Sequence, residues 1–119
     1  MQVVNWVTSL FKSIDAKDTD AFLSHLDSDC IFRFGNFPEV KGTEAIRQAV
    51  SDFFGSIEAL NHIIANTWET KNHIICNGMV TYTRKDLKKT TVPFCNVFLM
   101  EGNKIKDYQI FIDVSPLFS

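Results

Sequence analysis

At 119 residues, with 45% hydrophobic and 22% charged residues, the chain has the make-up of one globular domain spanning 1–119. A net charge of −2 argues against nucleic acid as a partner, because the small basic cluster Lys85, Lys88 and Lys89 is better explained as a solvated hairpin tip. No apolar run reaches the ~18–20 residues that span a bilayer and no export signal opens the chain, so no membrane partner and a cytoplasmic location are expected.

Val3, Val7, Leu10, Phe11 and Ile14 recur at helical spacing and predict an amphipathic helix from about Gln2 to Ile14. Asp15-Ala16-Lys17-Asp18 breaks it. A short helix carrying Phe22, Leu23 and Leu26 follows, capped by Asp18 or Thr19. Cys30–Phe34 reads as a strand and 35–42, with Pro38, as a loop. Thr43 can then cap a third helix whose buried stripe is Ile46, Val50, Phe53, Phe54 and Ile57.

After Gly55 the pattern turns to β. Ala59–Thr70 and His73–Arg84 are two long strands about a tight Lys71-Asn72 turn, and 85–90 makes the next turn. Thr91–Asp113 forms a closing hairpin, with Gly102-Asn103 suited to a II′ loop. Pairing Glu101 with Lys104 sets Val92 opposite Asp113, Phe94 opposite Phe111 and Asn96 opposite Gln109. Alternation then gives one face of Val92, Phe94, Asn96, Phe98, Asp107, Gln109, Phe111 and Asp113, greasy with a few polar groups, as small-molecule pockets are. The other face, with Cys95, Val97, Leu99, Tyr108, Ile110 and Ile112, is nearly all apolar. The order helix, helix, strand, helix, four strands predicts the α+β class, with helices on one face of an antiparallel sheet.

Eleven Phe suggest a core or cavity with aromatic walls. Cys30, Cys76 and Cys95 lack CxxC spacing and are expected as reduced, buried thiols. His25, His62 and His73 fall on separate elements without metal-ligand spacing, so no metal is expected. The apolar tail Ser115-Pro116-Leu117-Phe118 is expected to pack.

The element order, with DAKDTDAFLSHLDSDCIFRF, VKGTEAIRQAV and VFLMEGNKIKDYQIFID, resembles the SnoaL-like branch of the nuclear-transport-factor-2-like superfamily. The resemblance implies a cone-shaped fold with an apolar pocket, and a homodimer through the outer sheet face. That fold hosts enzymes and binders alike, so it does not choose a function. At the positions where ketosteroid-isomerase-like members carry a proton-shuttling carboxylate, a Tyr and a carboxylic acid, this chain has Phe34, Leu10 and Asn96. Arg84-Lys85-Asp86, Asp113 and Phe34-Gly35-Asn36 are similar to the groups of limonene-epoxide-hydrolase-like members, with Phe34 in place of a Tyr. That likeness implies Asp113 as base on a water held with Asn36, Arg84 bracing two carboxylates, and Asp86 as proton donor.

The candidate catalytic residues are therefore Asp113, Arg84 and Asp86, and the candidate ligand contacts Asn96, Asn36, Phe34, Gln109, Phe111 and Tyr82. A buried Asp113 would have a raised pKa; its bland alternative is a strand-end carboxylate bonded to backbone or Ser115. Arg84 and Tyr82 face inward only if Arg84 pairs with an even-numbered residue, and a surface turn is the alternative. Asn36 can equally be a turn residue. Asn96, inside an apolar strand, needs a partner: Gln109 first, a ligand or water second. The sequence thus supports a small-molecule enzyme of hydrolase or isomerase/cyclase type, acting by acid–base catalysis on a small hydrophobic molecule without cofactor. A non-catalytic binding or dimerisation module is the alternative, and a pure interaction domain would have its cavity filled by Phe.

Overall fold

The computed structural model describes residues 2–119. Helix α1 (Val3–Asp15) buries Val7, Leu10, Phe11 and Ile14, the stripe its spacing predicts. Lys17, at φ 56°, turns the chain into α2 (Thr19–Leu23), whose N-cap Asp18 accepts a hydrogen bond from the Ala21 N–H. Next come β1 (Leu26–Phe34), β2 (Val40–Lys41), α3 (Thr43–Ser56), β3 (Ala59–Glu69), β4 (His73–Thr83), β5 (Lys89–Glu101) and β6 (Lys104–Ile112). A closing 3₁₀ turn, Ser115–Phe118, buries Leu117, so the tail packs as expected.

The six strands form one sheet in the order β2-β1-β6-β5-β4-β3, antiparallel except where β1 lies parallel to β6. α1 packs against β3 and α3 against β1 and β2, all on one side of the sheet. This is the expected α+β architecture. Thr70 and His73 close the turn at Lys71-Asn72. Three local expectations fail. Leu26, expected on the short second helix, opens β1 instead, because α2 ends at Leu23. The supposed loop 35–42 contains β2, which pairs with Ile31 and Phe32 of β1. The N-cap of α3 is Gly42, at φ 88° and without a side-chain bond, so Thr43 is inside the helix and caps nothing.

The larger correction is the register of the closing hairpin. Glu101 does pair with Lys104, and Gly102 at φ 61° fits the II′ turn. Beyond it, however, Met100 pairs with Ile105 and Leu99 with Asp107, so Lys106 is the extra residue of a β-bulge. A slip of one residue sends every later side chain to the opposite face. Asn96 therefore stands opposite Ile110 instead of Gln109, and Phe94 opposite Ile112 instead of Phe111. Tyr108, Ile110 and Ile112 turn toward the helices, while Asp107, Gln109 and Phe111 turn away. The β5 assignment stands: Val92, Phe94, Asn96 and Phe98 are all buried.

Candidate functional site

A cavity of about 420 Å³ lies between the helix-covered face of the sheet and the helices. That volume lies within the range of small-molecule sites. Its mouth is where Phe37 and Pro38 of the β1–β2 connection are exposed. Phe34 stacks there on Phe37 at 5.8 Å, and Phe53 meets Phe34 edge-on at 5.0 Å. The buried depths are walled by Phe11, Phe22, Phe32 and Phe94. Among the described residues, only four lining side chains bear a polar atom: His62, Tyr82, Asn96 and Tyr108. No lining side chain among the described residues is a Lys, Arg, Asp or Glu, so the walls offer no full charge to an ionic ligand.

His62 points inward from β3, on the same face as Leu60 and Ile64, with the rings of Phe11 and Phe94 at 4.8 and 5.2 Å. Asp15, the last residue of α1, holds it twice. The Asp15 Oδ1 lies 2.6 Å from Nδ1, and Oδ2 accepts the His62 backbone N–H at 2.9 Å. The two side chains are only 9% and 23% exposed for His62 and Asp15, so the pair sits largely out of solvent. A neutral ring bonded this way carries its proton on Nδ1 and leaves the Nε2 lone pair free, with no protein partner among the described residues.

Burial pushes the Tyr82 hydroxyl pKa up, and the charge of Asp15 adds to it. Tyr108, fully buried, is raised well above the ordinary phenol range, again chiefly by burial. Both remain protonated donors at neutral pH. The Asn96 carboxamide is 2% exposed, and its Oδ1 lacks any partner among the described residues.

Of the residues predicted from sequence, Phe34, Tyr82 and Asn96 line the cavity. The others do not. Asp113 is exposed past the end of β6, where its Oδ1 accepts the Ser115 N–H at 3.0 Å. That bond, made with the charged form, lowers its pKa where a buried acid would have had it raised. Gln109 and Phe111 are on the outer sheet face because of the Lys106 bulge, and Phe111 is 56% exposed. Asn36 is exposed in the connection after β1.

Tyr82 does pair with even-numbered Thr90 and points inward. Arg84, sharing that parity, lies beyond the strand end. Its Nη1 donates to the Ser119 carbonyl at 2.8 Å, and its Nη2 is 3.3 Å from Asp86. Arg84 and Asp86 thus border a separate shallow crease with Ile57 and Leu117, away from the aromatic cavity. The expected group of Asp113, Arg84 and Asp86 is not assembled.

Sequence reasoning missed Asp15 and His62, which are 47 residues apart. Asp15 read as a helix breaker and His62 only as a poor metal ligand. The usable signal was the inward parity of His62 between Leu60 and Ile64, facing the end of a helix whose stripe is apolar.

The family model for the SnoaL-like domain matches residues 7–108. The chain belongs to the SnoaL-like family. No curated protein matches it in sequence. Among solved structures, the SnoaL-like chain is similar to an NTF2-like protein of unknown function from Burkholderia pseudomallei K96243. The TM-score is 0.87 at 13% identity, over 97% of this chain and 93% of that one. It is also similar to an LEH-like epoxide hydrolase of M. tuberculosis, with TM-score 0.80 and 14% identity over 97% and 85%. TerC, co-crystallised with polyporic acid, gives 0.83 at 12% identity over 97% and 94%. At such identities the shared property is the fold.

Proposed function

We propose that the cavity binds a neutral, largely apolar small molecule and that His62, oriented by Asp15, moves a proton on it in a hydrolase- or isomerase/cyclase-type reaction. The observation that carries this reading is the 2.6 Å contact between Asp15 Oδ1 and His62 Nδ1 at the wall of a largely apolar cavity. With Nδ1–H donated to the carboxylate, Nε2 accepts a proton from a carbon or oxygen acid of the ligand. The Asp15 carboxylate stabilises the imidazolium that forms, and Nε2 later returns the proton to another ligand atom. Tyr82 or Tyr108, kept protonated by burial, is available to donate a hydrogen bond to an oxygen that gains charge. That an LEH-like epoxide hydrolase of M. tuberculosis shares this fold supports this class of chemistry.

A general base contributes typically ~10²–10⁴-fold. 2-Tetralone, a neutral bicyclic ketone with acidic α-hydrogens, is a suitable probe. The wild-type chain should speed exchange of those hydrogens in D₂O, followed by proton NMR, and His62→Gln should lose at least about tenfold of that rate. Equal rates in the two proteins would contradict the reading.

The outer sheet face is read as the contact between two copies of the chain. Ile63, Trp68, Met79 and Phe111 are 66%, 50%, 43% and 56% exposed there. Four strands at ~4.8 Å spacing and about nine residues at ~3.3 Å span roughly 20 by 30 Å. That is of the order of the ~800 Å² per partner of a standard interface, and a two-fold dimer needs one self-complementary patch.

A further inference from the structure

Asn96 is almost wholly buried at 2% exposure, yet its Oδ1 has no hydrogen-bond partner among the described residues. Buried polar side-chain atoms in folded proteins overwhelmingly have one. The strand ladder supplies none to this group. Cys76 and Ile110 stand opposite Asn96 on the two neighbouring strands, and Phe94 and Phe98 precede and follow it on the same face. The carboxamide lines the cavity, with Phe94 leading toward His62 on one side and Tyr108 diagonally across on the other. An apolar residue would fill the same place without an unpaired oxygen. The group is placed to meet something that the chain itself does not provide.

We propose that Asn96 is the specificity-determining residue of the cavity, its carboxamide taking the hydrogen of a ligand hydroxyl, so that the site selects a neutral aromatic alcohol or phenol over the corresponding ether or hydrocarbon. The aromatic walls supply contact for the ring body, and the lack of charged lining groups disfavours carboxylates and amines. A site built to bond a ligand hydroxyl rejects the analogue lacking it far more strongly than an apolar pocket rejects a missing methylene, because its own polar group is then left unpaired. This proposal rests on reading the cavity as a small-molecule site, but not on the proton chemistry assigned to His62.

The test is equilibrium binding of 2-naphthol, 2-methoxynaphthalene and naphthalene to the full chain, read by calorimetry. Wild type should bind 2-naphthol at least about tenfold more tightly than its methyl ether. In Asn96→Leu that preference should collapse to within about twofold, with binding of the ether and the hydrocarbon kept. The melting temperature of Asn96→Leu should be unchanged or raised, since an unpaired buried amide has been removed. Asn96→Ser, which keeps an acceptor in a smaller side chain, should retain part of the preference and guards against a failure of the leucine variant to fold.

Equal binding of naphthol and ether by wild type overturns the proposal alone. A preference that survives in Asn96→Leu also overturns it, as does a lowered melting temperature with selectivity unchanged. Failure of all three compounds to bind overturns the small-molecule reading of the cavity together with it. Loss of tetralone exchange in His62→Gln bears on the proton chemistry and leaves this inference untouched.

Discussion

Asp15 uses its two oxygens for different purposes, and substitutions separate them. The Oδ2 contact to the His62 backbone ties the end of α1 to β3, while the Oδ1 contact to Nδ1 fixes the ring. Asp15→Asn keeps one carbonyl oxygen, which can serve either contact but not both. The histidine environment, more than the fold, is then altered. Tyr82 and Tyr108, the only tyrosines in the chain, give an independent measure of how dry the interior is. Burial raises both pKa values above the unfolded value near 10, so the stability they contribute is complete below pH ~10 and is lost as pH rises through the folded values. Tyrosinate absorbance in an alkaline titration should therefore appear only together with loss of far-ultraviolet circular dichroism. Ionisation of either tyrosine near pH 10 in the folded chain would contradict the packing described.

At the scale of elements, two irregularities shape the site. One is the Lys106 bulge, which decides which half of β6 faces the cavity. The other is in the β3–β4 ladder at Gly78, which pairs with Ile64 where the register shifts between Ile64 and Asn66. A Cβ on Gly78 would lie 1.9 Å from the Ile63 carbonyl oxygen, a backbone atom that cannot step aside. Gly78→Ala should destabilise the fold by about 2 kcal/mol or more and lower the melting temperature by about 8 °C or more, measured by thermal unfolding. A change under about 0.5 kcal/mol would mean that the strands do not approach this closely.

These irregularities also mark where sequence reading stops. Helix stripes, strand lengths and turn residues are local, and α1, α3, β3, β4 and the Gly102 turn could be read from spacing alone. A bulge is one extra residue in a ladder, and nothing in the alternation of Asp107 to Asp113 reveals it, since both parities carry apolar residues. The inward side of β5 was legible because Val92, Phe94, Asn96 and Phe98 share one parity, and so Asn96 and, through pairing, Tyr82 were found. Asp113 was misplaced because its facing was inferred across the bulge. Asp15 and His62 meet only after α1 docks on β3, a tertiary contact that no local pattern encodes.

For the whole molecule, the sheet separates two apolar surfaces with different fates: a helix-covered one that leaves a cavity and an outer one that is open. Eight of the eleven phenylalanines line the cavity without closing it, which sets the structure against a solidly filled interaction domain. No helix among the described residues is long and apolar enough to cross a membrane. The outer face predicts a sedimentation mass twice the 13.6 kDa of one chain. Ile63→Glu with Phe111→Glu should return it to a monomer, because two charges cannot be buried unpaired at the centre of the contact. A monomeric wild type at tens of micromolar would contradict a dimer through this face.

The most direct test of the central claim is side-chain ¹⁵N NMR of His62, assigned by its loss in His62→Gln, with and without 2-tetralone. The neutral ring should be protonated at Nδ1, with Nε2 bare and shifting as the ketone fills the cavity. A ring protonated at Nε2, or one whose signals ignore saturating ketone that binds elsewhere, would contradict it.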